Sequence, residues 1–175
     1  MLEATGEERL RRQVLDGGYR LRDAPDDGRP GVTIVTTGVM APEALAAADE
    51  LDGEGVQASV IHLTSPDRVY RSWRAGFARS TAEARVVRAP SRLHRLVPAD
   101  ERRRPVVSVH DAASHSLAWI GSALGTRQYT LGVDRFGESG TIADLHRLTG
   151  IDTGSIVNAA LIAVSEVELF DDERD

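Results

Sequence analysis

The stretch Tyr129-Thr130-Leu131-Gly132-Val133-Asp134-Arg135-Phe136-Gly137-Glu138-Ser139 decides how this chain is read. Tyr129 to Val133 has the residue types of a strand. Thr141, with Asp144 three residues on, resembles the capping box that opens a helix. Between strand and helix, Gly132 and Gly137 frame an acid and an aromatic. That framing predicts a backbone turning sharply over a buried ring, with no room for a bulky side chain at Gly137. Glycine-flanked strand ends serve plain architecture in many α/β proteins. Asp134, Phe136 and Gly137 are also candidates for ligand or interface contact.

Working outward, Val106 to Val109 reads as a short apolar strand whose C-terminal edge carries His110 and Asp111. A helix follows, with Leu117, Ile120, Gly121 and Leu124 on one face and Gly125 as its stop. Further upstream, the β-branched run Val32 to Thr37 predicts a buried first strand ended by Gly38. Pro42 and Glu43 suit the first turn of a helix that presents Ala44, Leu45, Ala48 and Leu51 on one face and ends at Gly53 and Gly55. Val56 to Leu63 is the next strand, closed by Pro66, and strand, helix and strand form a compact crossover unit, expected to be right-handed if the strands are parallel. From Arg68 to Ala99 the pattern predicts a short helix over Val69 to Phe77 and then an irregular, arginine-rich connection.

At the ends, Glu7 to Leu15 reads as a helix with Leu10 and Val14 four apart, stopped by Gly17-Gly18. A polar turn from Ala24 to Gly31 reads as a linker. Gly150 ends the helix that starts at Thr141. Asp152 or Thr153 then caps a last helix striped by Ile156, Ala160, Ala163, Val164 and Val167. Asp171 to Asp175 reads as a fraying acidic tail. The expected organisation is a connector over 1–30, one domain over 31–170 and the tail over 171–175. Alternation of helical and strand periods predicts a single three-layer α/β domain with a mostly parallel sheet of about five strands and helices on both faces.

Composition narrows the chemistry. The chain has 175 residues and no cysteine, which rules out disulfides, a thiolate nucleophile and thiolate metal sites. All 21 basic residues are arginine, so no Schiff-base or phosphate-loop lysine exists. No apolar run in the raw sequence approaches the roughly 20 residues of a membrane span, and the first residues lack a signal-peptide pattern. A soluble, cytoplasmic protein is expected, with no membrane partner. A formal charge of -6 argues against general nucleic-acid binding. Arg79 to Arg104 nevertheless holds eight arginines against Glu83, Asp100 and Glu101, either a solvated surface or a site for an acidic partner. It lacks the aromatics that stack on bases.

His110, Asp111, Ser114 and His115 cluster at a strand end, where open α/β sheets place ligands. Ser114 has no flanking glycines, so the strained nucleophile turn of a hydrolase is missing. The cluster reads first as capping or surface, then as ligand or interface contact, with His110 and Asp111 the leading candidates. No His-x-x-x-His or Gly-x-Gly-x-x-Gly pattern suggests a metal or phosphate site, so no catalytic, cofactor or metal residue is assigned. Trp73 and Trp119 read as core or interface aromatics, and become subunit-contact candidates if exposed.

The order of these elements resembles the C-terminal domain of the transketolase family. Within it, the closest likeness is to the homodimeric-type pyruvate dehydrogenase decarboxylating component, where a Gly-x-Asp-x-Phe-Gly-x-Ser segment corresponds to Gly132 to Ser139. Glu7 to Leu21 resembles the connector into that domain, and Val32 to Met40 with the Glu43 helix resembles its first strand and helix. The resemblance runs from about Gly6 to Val167 and is weakest over Arg68 to Arg104. It implies thiamine diphosphate and magnesium in the parent family, held by domains this chain lacks, and no cofactor bound by this chain alone. It implies an assembly role without decarboxylase activity, as a homodimer or beside a larger thiamine-diphosphate-dependent subunit. An independent small-ligand module using His110 and Asp111 is the alternative.

Overall fold

The chain opens with helix α1 (Leu2–Asp16) and a short strand β1 (Tyr19–Arg22), followed by β2 (Gly31–Thr37), α2 (Ala41–Gly53), β3 (Gln57–Leu63), α3 (Pro66–Ala82) and α4 (Arg92–Leu96). Then come β4 (Val106–Val109), α5 (Trp119–Leu124), β5 (Gln128–Leu131), α6 (Ile142–Thr149) and α7 (Thr153–Asp172). This computed structural model describes residues 2–24, 27–86 and 90–172. Arg88, part of the arginine-rich stretch, and residues 173–175 of the acidic tail lie outside the described residues, while Asp171 and Asp172 belong to α7.

The five strands form one sheet in the order β1-β3-β2-β4-β5. β2 runs parallel to both β3 and β4, and β4 parallel to β5, with Ile34 opposite Val60 and Val107, and Val107 opposite Tyr129. β1 alone is antiparallel, pairing Tyr19 with His62 of β3. The three-layer, mostly parallel α/β fold expected from the sequence is therefore present. The sequence reading had no strand at β1, because its four residues are half-buried and alternate apolar with charged. An edge strand needs only one apolar flank.

Successive residues of the central strands feed opposite layers. Ile34, Val60 and Val107 pack with Ala44, Leu51, Ile156 and Ala160 under α2 and α7. Val35, Ile61 and Val106 pack with Val69, Leu93, Leu96 and Ile120 under α3, α4 and α5. The arginine-rich connection is thus more ordered than its sequence suggested. α3 runs on to Ala82, and α4 buries Leu93 and Leu96 after a Ser91 cap whose hydroxyl accepts from the His94 backbone.

Residues 142–167 match a membrane span by length and apolar content, which the sequence reading had not anticipated. The stretch is two helices broken at left-handed Gly150, and the apolar stripe of α7 is spent on the core.

α1 touches the rest of the molecule at its C-terminal end. Arg68 donates to the carbonyl of Leu15 at 2.5 Å, Thr64 to that of Val14 at 3.2 Å, and Arg95 to the Asp16 carboxylate at 3.1 Å. Arg92 also pairs with that carboxylate. Cations at a helix C-terminus satisfy orphan carbonyls and oppose the negative end of the dipole. Gly17 follows at φ +107°, a backbone region closed to most side chains. Leu10, Val14 and Leu15 remain exposed. One ion pair is almost fully buried: Arg20 meets both carboxylate oxygens of Glu101, at 3.0 and 2.8 Å, and the carbonyl of Leu96 at 3.1 Å. It ties β1 to the segment entering β4.

Candidate functional site

Crossovers from β2 lead to β3 on one side and, after β3, to β4 on the other, so the loops leaving β2 and β4 diverge at the C-terminal edge of the sheet. Such a switch point leaves a crevice where open α/β sheets place ligands. A cleft of about 520 Å3 lies there, lined by Val39, Pro42, Glu43, Asp111, Phe136 and His146 among others. Its walls are mostly apolar.

The sequence candidates divide. Asp111 lines the cleft and is exposed, facing the turn at Gly38, whose φ of +62° suits glycine. A Cβ built on Gly38 would stand 3.1 Å from the Asp111 carboxylate. His110 is buried, and its Nε2 pairs with the carbonyl of Ala113 at 2.9 Å, so the ring holds the turn after β4 and does not line the cleft. Asp134 accepts from the backbone N–H of Ser114 at 2.9 Å, and the Ser114 hydroxyl first, with that backbone bond second, holds its carboxyl below the usual range. His115 and His110 add a weaker attraction.

Phe136 and Gly137 overturn the expectation of a turn over a buried ring. Phe136 is 96% exposed at the cleft mouth, and a Cβ on Gly137 would meet nothing within 4 Å. The segment 134–140 stands beyond the end of β5 with no helix or strand folded over it, so nothing encloses the ring. The crowded glycine is Gly132. A Cβ there would come within 2.5 Å of the Ala112 carbonyl and 2.6 Å of the Ser114 backbone.

Sequence reasoning missed the polar centre of the cleft floor. Glu43, at the start of α2, accepts from the backbone N–H of Thr153 at 2.9 Å, from the Thr153 hydroxyl and from His146 Nδ1 at 3.1 Å. The Thr153 hydroxyl bond, helped by His146, holds the Glu43 carboxyl below its ordinary value against the opposing effect of burial. Glu43 therefore caps α7 from across the fold. More than a hundred residues separate these partners, and no local spacing announces them. The Thr141–Asp144 box is present as expected, closed by hydroxyl-to-carboxylate and N–H-to-hydroxyl bonds of 2.7 and 3.3 Å.

On the opposite face, Trp73 and Trp119 stack with centroids 5.7 Å apart, and Tyr70 sets its ring edge-on to Trp119 at 5.3 Å. Both tryptophans are half-buried, resting on the core under α3 and α5.

A doubly wound α/β layer fold with an apolar cleft at its switch point defines an open-sheet α/β domain, and fold alone fixes no chemistry. Residues 17–152 match the transketolase-like TK C-terminal domain, and the chain belongs to that family. It is 28% identical over 156 residues to the chromosomal transketolase of Cupriavidus necator, covering 89% of this chain and 20% of that protein. To the chloroplastic transketolase of Spinacia oleracea it is 26% identical over 147 residues, covering 84% of this chain and 17% of the relative. Among solved structures, the Pichia stipitis transketolase complex with sedoheptulose-7-phosphate superposes with a TM-score of 0.59 at 21% identity, over 90% of this chain and 19% of that one. A split-gene transketolase, an inactive β4 tetramer, superposes with a TM-score of 0.53 at 20% identity, over 86% of this chain and 43% of that one. The chain spans about a fifth of the length of the curated relatives it matches.

Thiamine diphosphate with its divalent metal, which the family implies, does not fit the residues here. Glu43, Asp111 and Glu138 put three carboxylates around a cleft that offers a diphosphate one arginine, Arg135. Among the described residues no group of three metal-ligating side chains comes together.

Proposed function

We propose that this chain is the non-catalytic C-terminal unit of a thiamine-diphosphate-dependent enzyme of transketolase or pyruvate dehydrogenase type. It acts by assembly, as a homodimer or beside a larger subunit that carries the cofactor, and has no decarboxylase activity alone. A cytoplasmic setting belongs to the same proposal. The observation that carries it is the rim of the cleft, where Phe136 at 96%, Ile142 at 74% and Val39 at 63% stand exposed together. Clustered exposed apolar side chains mark surfaces that another body covers. In the split-gene transketolase this fold aligns with 43% of a chain, a case of the fold carried within a larger subunit. The test is recovery of partners from the native source by tagged wild-type protein and by Phe136→Ser. A larger thiamine-dependent subunit held by the wild type and lost by the variant supports the reading, and a monomer without companion sinks it.

The second reading is a small-ligand module at the same sheet edge. The cleft volume favours it, lying within the roughly 300–1,000 Å3 of small-molecule sites, with Asp111 as its exposed charge. Calorimetric titration with thiamine diphosphate and Mg2+ separates the two, because tight binding by this chain alone contradicts the assembly role.

A further inference from the structure

The face of α3 turned away from the sheet has two flanks of different chemistry. Along one run Tyr70, Trp73 and Phe77, extended by Trp119 of α5, with centroid distances of 5.8, 6.4 and 5.7 Å for Tyr70–Trp73, Trp73–Phe77 and Trp73–Trp119. Phe77 is 53% exposed. Along the crest Arg74 lies over these rings, 5.2 Å from the Phe77 centroid and 6.0 Å from that of Trp73. On the other flank Arg68, Arg71 and Arg79 line an open groove of about 480 Å3 shared with Asp67 and Arg92. α3 therefore carries four arginines against one acid, Asp67, in a molecule whose formal charge is -6. Arg71 is paired with Asp67 at 2.9 Å, and Arg68 and Arg92 hold the end of α1, so Arg74 and Arg79 are the cations of this face that neither pair with a carboxylate nor hold α1 among the described residues.

We propose that this face is a docking surface for an acidic protein segment, one that lays aliphatic or aromatic anchors on the Tyr70–Trp73–Phe77–Trp119 strip and sets carboxylates against the arginine crest. Trp, Tyr and Arg are the residues that dominate interface energetics, and here they are contiguous. Charge complementarity selects an acidic partner, since a local excess of arginine on an acidic protein attracts carboxylates and repels basic surfaces. Two other occupants fit less well. A nucleic-acid base needs an open ring face, but Trp73 is stacked by Trp119 and covered by Arg74. A second copy meeting this face about a twofold axis would set the same arginines against each other.

The experiment has a built-in reporter, because Trp73 and Trp119 are the only tryptophans of the chain. The probes are a short synthetic peptide alternating Glu with Leu and Phe, its counterpart with Lys in place of Glu, and inorganic tripolyphosphate. Expected is a saturable shift of tryptophan emission with the acidic peptide. Added salt should weaken it, the Lys peptide should leave it absent, and Arg74→Glu/Arg79→Glu should reduce affinity at least tenfold with unchanged circular dichroism. Phe77→Ser should weaken binding without touching charge. Equal response to both peptides, a stronger response to tripolyphosphate, or no saturable change overturns the proposal. Concentration-dependent self-association that shifts the emission without peptide overturns it in favour of a second copy. The peptide assay uses this chain alone, so failure to recover a thiamine-dependent subunit does not decide it.

Discussion

The carboxylate of Asp134 stands 2.9 Å from the backbone nitrogen of Ser114, so the turn leaving β5 caps the turn leaving β4. This bond, with Val133 N–H on the Ala112 carbonyl at 2.9 Å, staples two neighbouring strand ends at the C-terminal edge of the sheet. The acid in the glycine-framed segment serves geometry inside the domain. Asp134→Asn should therefore lower the thermal midpoint. Because the folded carboxyl is held below its ordinary value, the wild-type advantage should be present above about pH 4 and vanish as pH falls through the folded value. Paired melting curves across pH check this, and a constant gap at all pH values would refute it.

The two glycines of the same segment should behave oppositely. Gly132→Ala forces a methyl into the backbone of Ala112 and Ser114, which should cost about 2 kcal/mol or more. Gly137→Ala meets open space and should stay within about 0.5 kcal/mol of wild type. Urea unfolding of the two variants side by side measures the difference.

Breaking the Arg20–Glu101 pair leaves Arg20 beside β1 with only the exposed Asp23 carboxylate at 2.5 Å and the Leu96 carbonyl at 3.1 Å. Glu101→Ala should destabilise by about 2 kcal/mol, more than loss of any exposed ion pair among the described residues. The double replacement Arg20→Met/Glu101→Leu should recover much of that loss, since an apolar pair avoids desolvating charge. Chemical denaturation of the single and double variants tests both statements.

Acid should weaken the fold in two stages. Burial holds His62 and His94 below the ordinary 6.5, with Arg102 adding repulsion at His94. The unfolded chain then takes up those protons first, so stability is full above about pH 6.5 and declines below it. Glu43, held low chiefly by Thr153, contributes stability present above about pH 4.3 and lost as pH falls through its folded value. His62→Phe, which keeps a ring against Tyr19, should shrink the first stage to the share of His94, and Glu43→Gln should remove the second. Urea midpoints against pH read both.

Locally specified features were legible in the sequence: the β-branched run of β2, Pro42 at the start of α2, the left-handed stop at Gly125 and the Thr141–Asp144 box. What escaped depends on distant contact. β1 is a strand because β3 offers an edge to Tyr19, and α4 is a helix because Leu93 and Leu96 find the core. At the cleft, Asp111 lies at the strand end that singled it out in the sequence, whereas the Glu43–His146–Thr153 centre left no local trace. Phe136 was misread because an aromatic between glycines looks equally well made for a cavity or for a rim.

Arg68, Arg92 and Arg95 grip the leading helix at its last turn alone, with Gly17 directly behind the grip. Gly17 is itself buried, donating to the Val14 carbonyl at 3.1 Å while its own carbonyl accepts from the Ser65 N–H at 3.0 Å, so the junction is anchored on both sides. The heading of the leading helix is thereby set by α3 and α4, and not by the chain that joins it to β1.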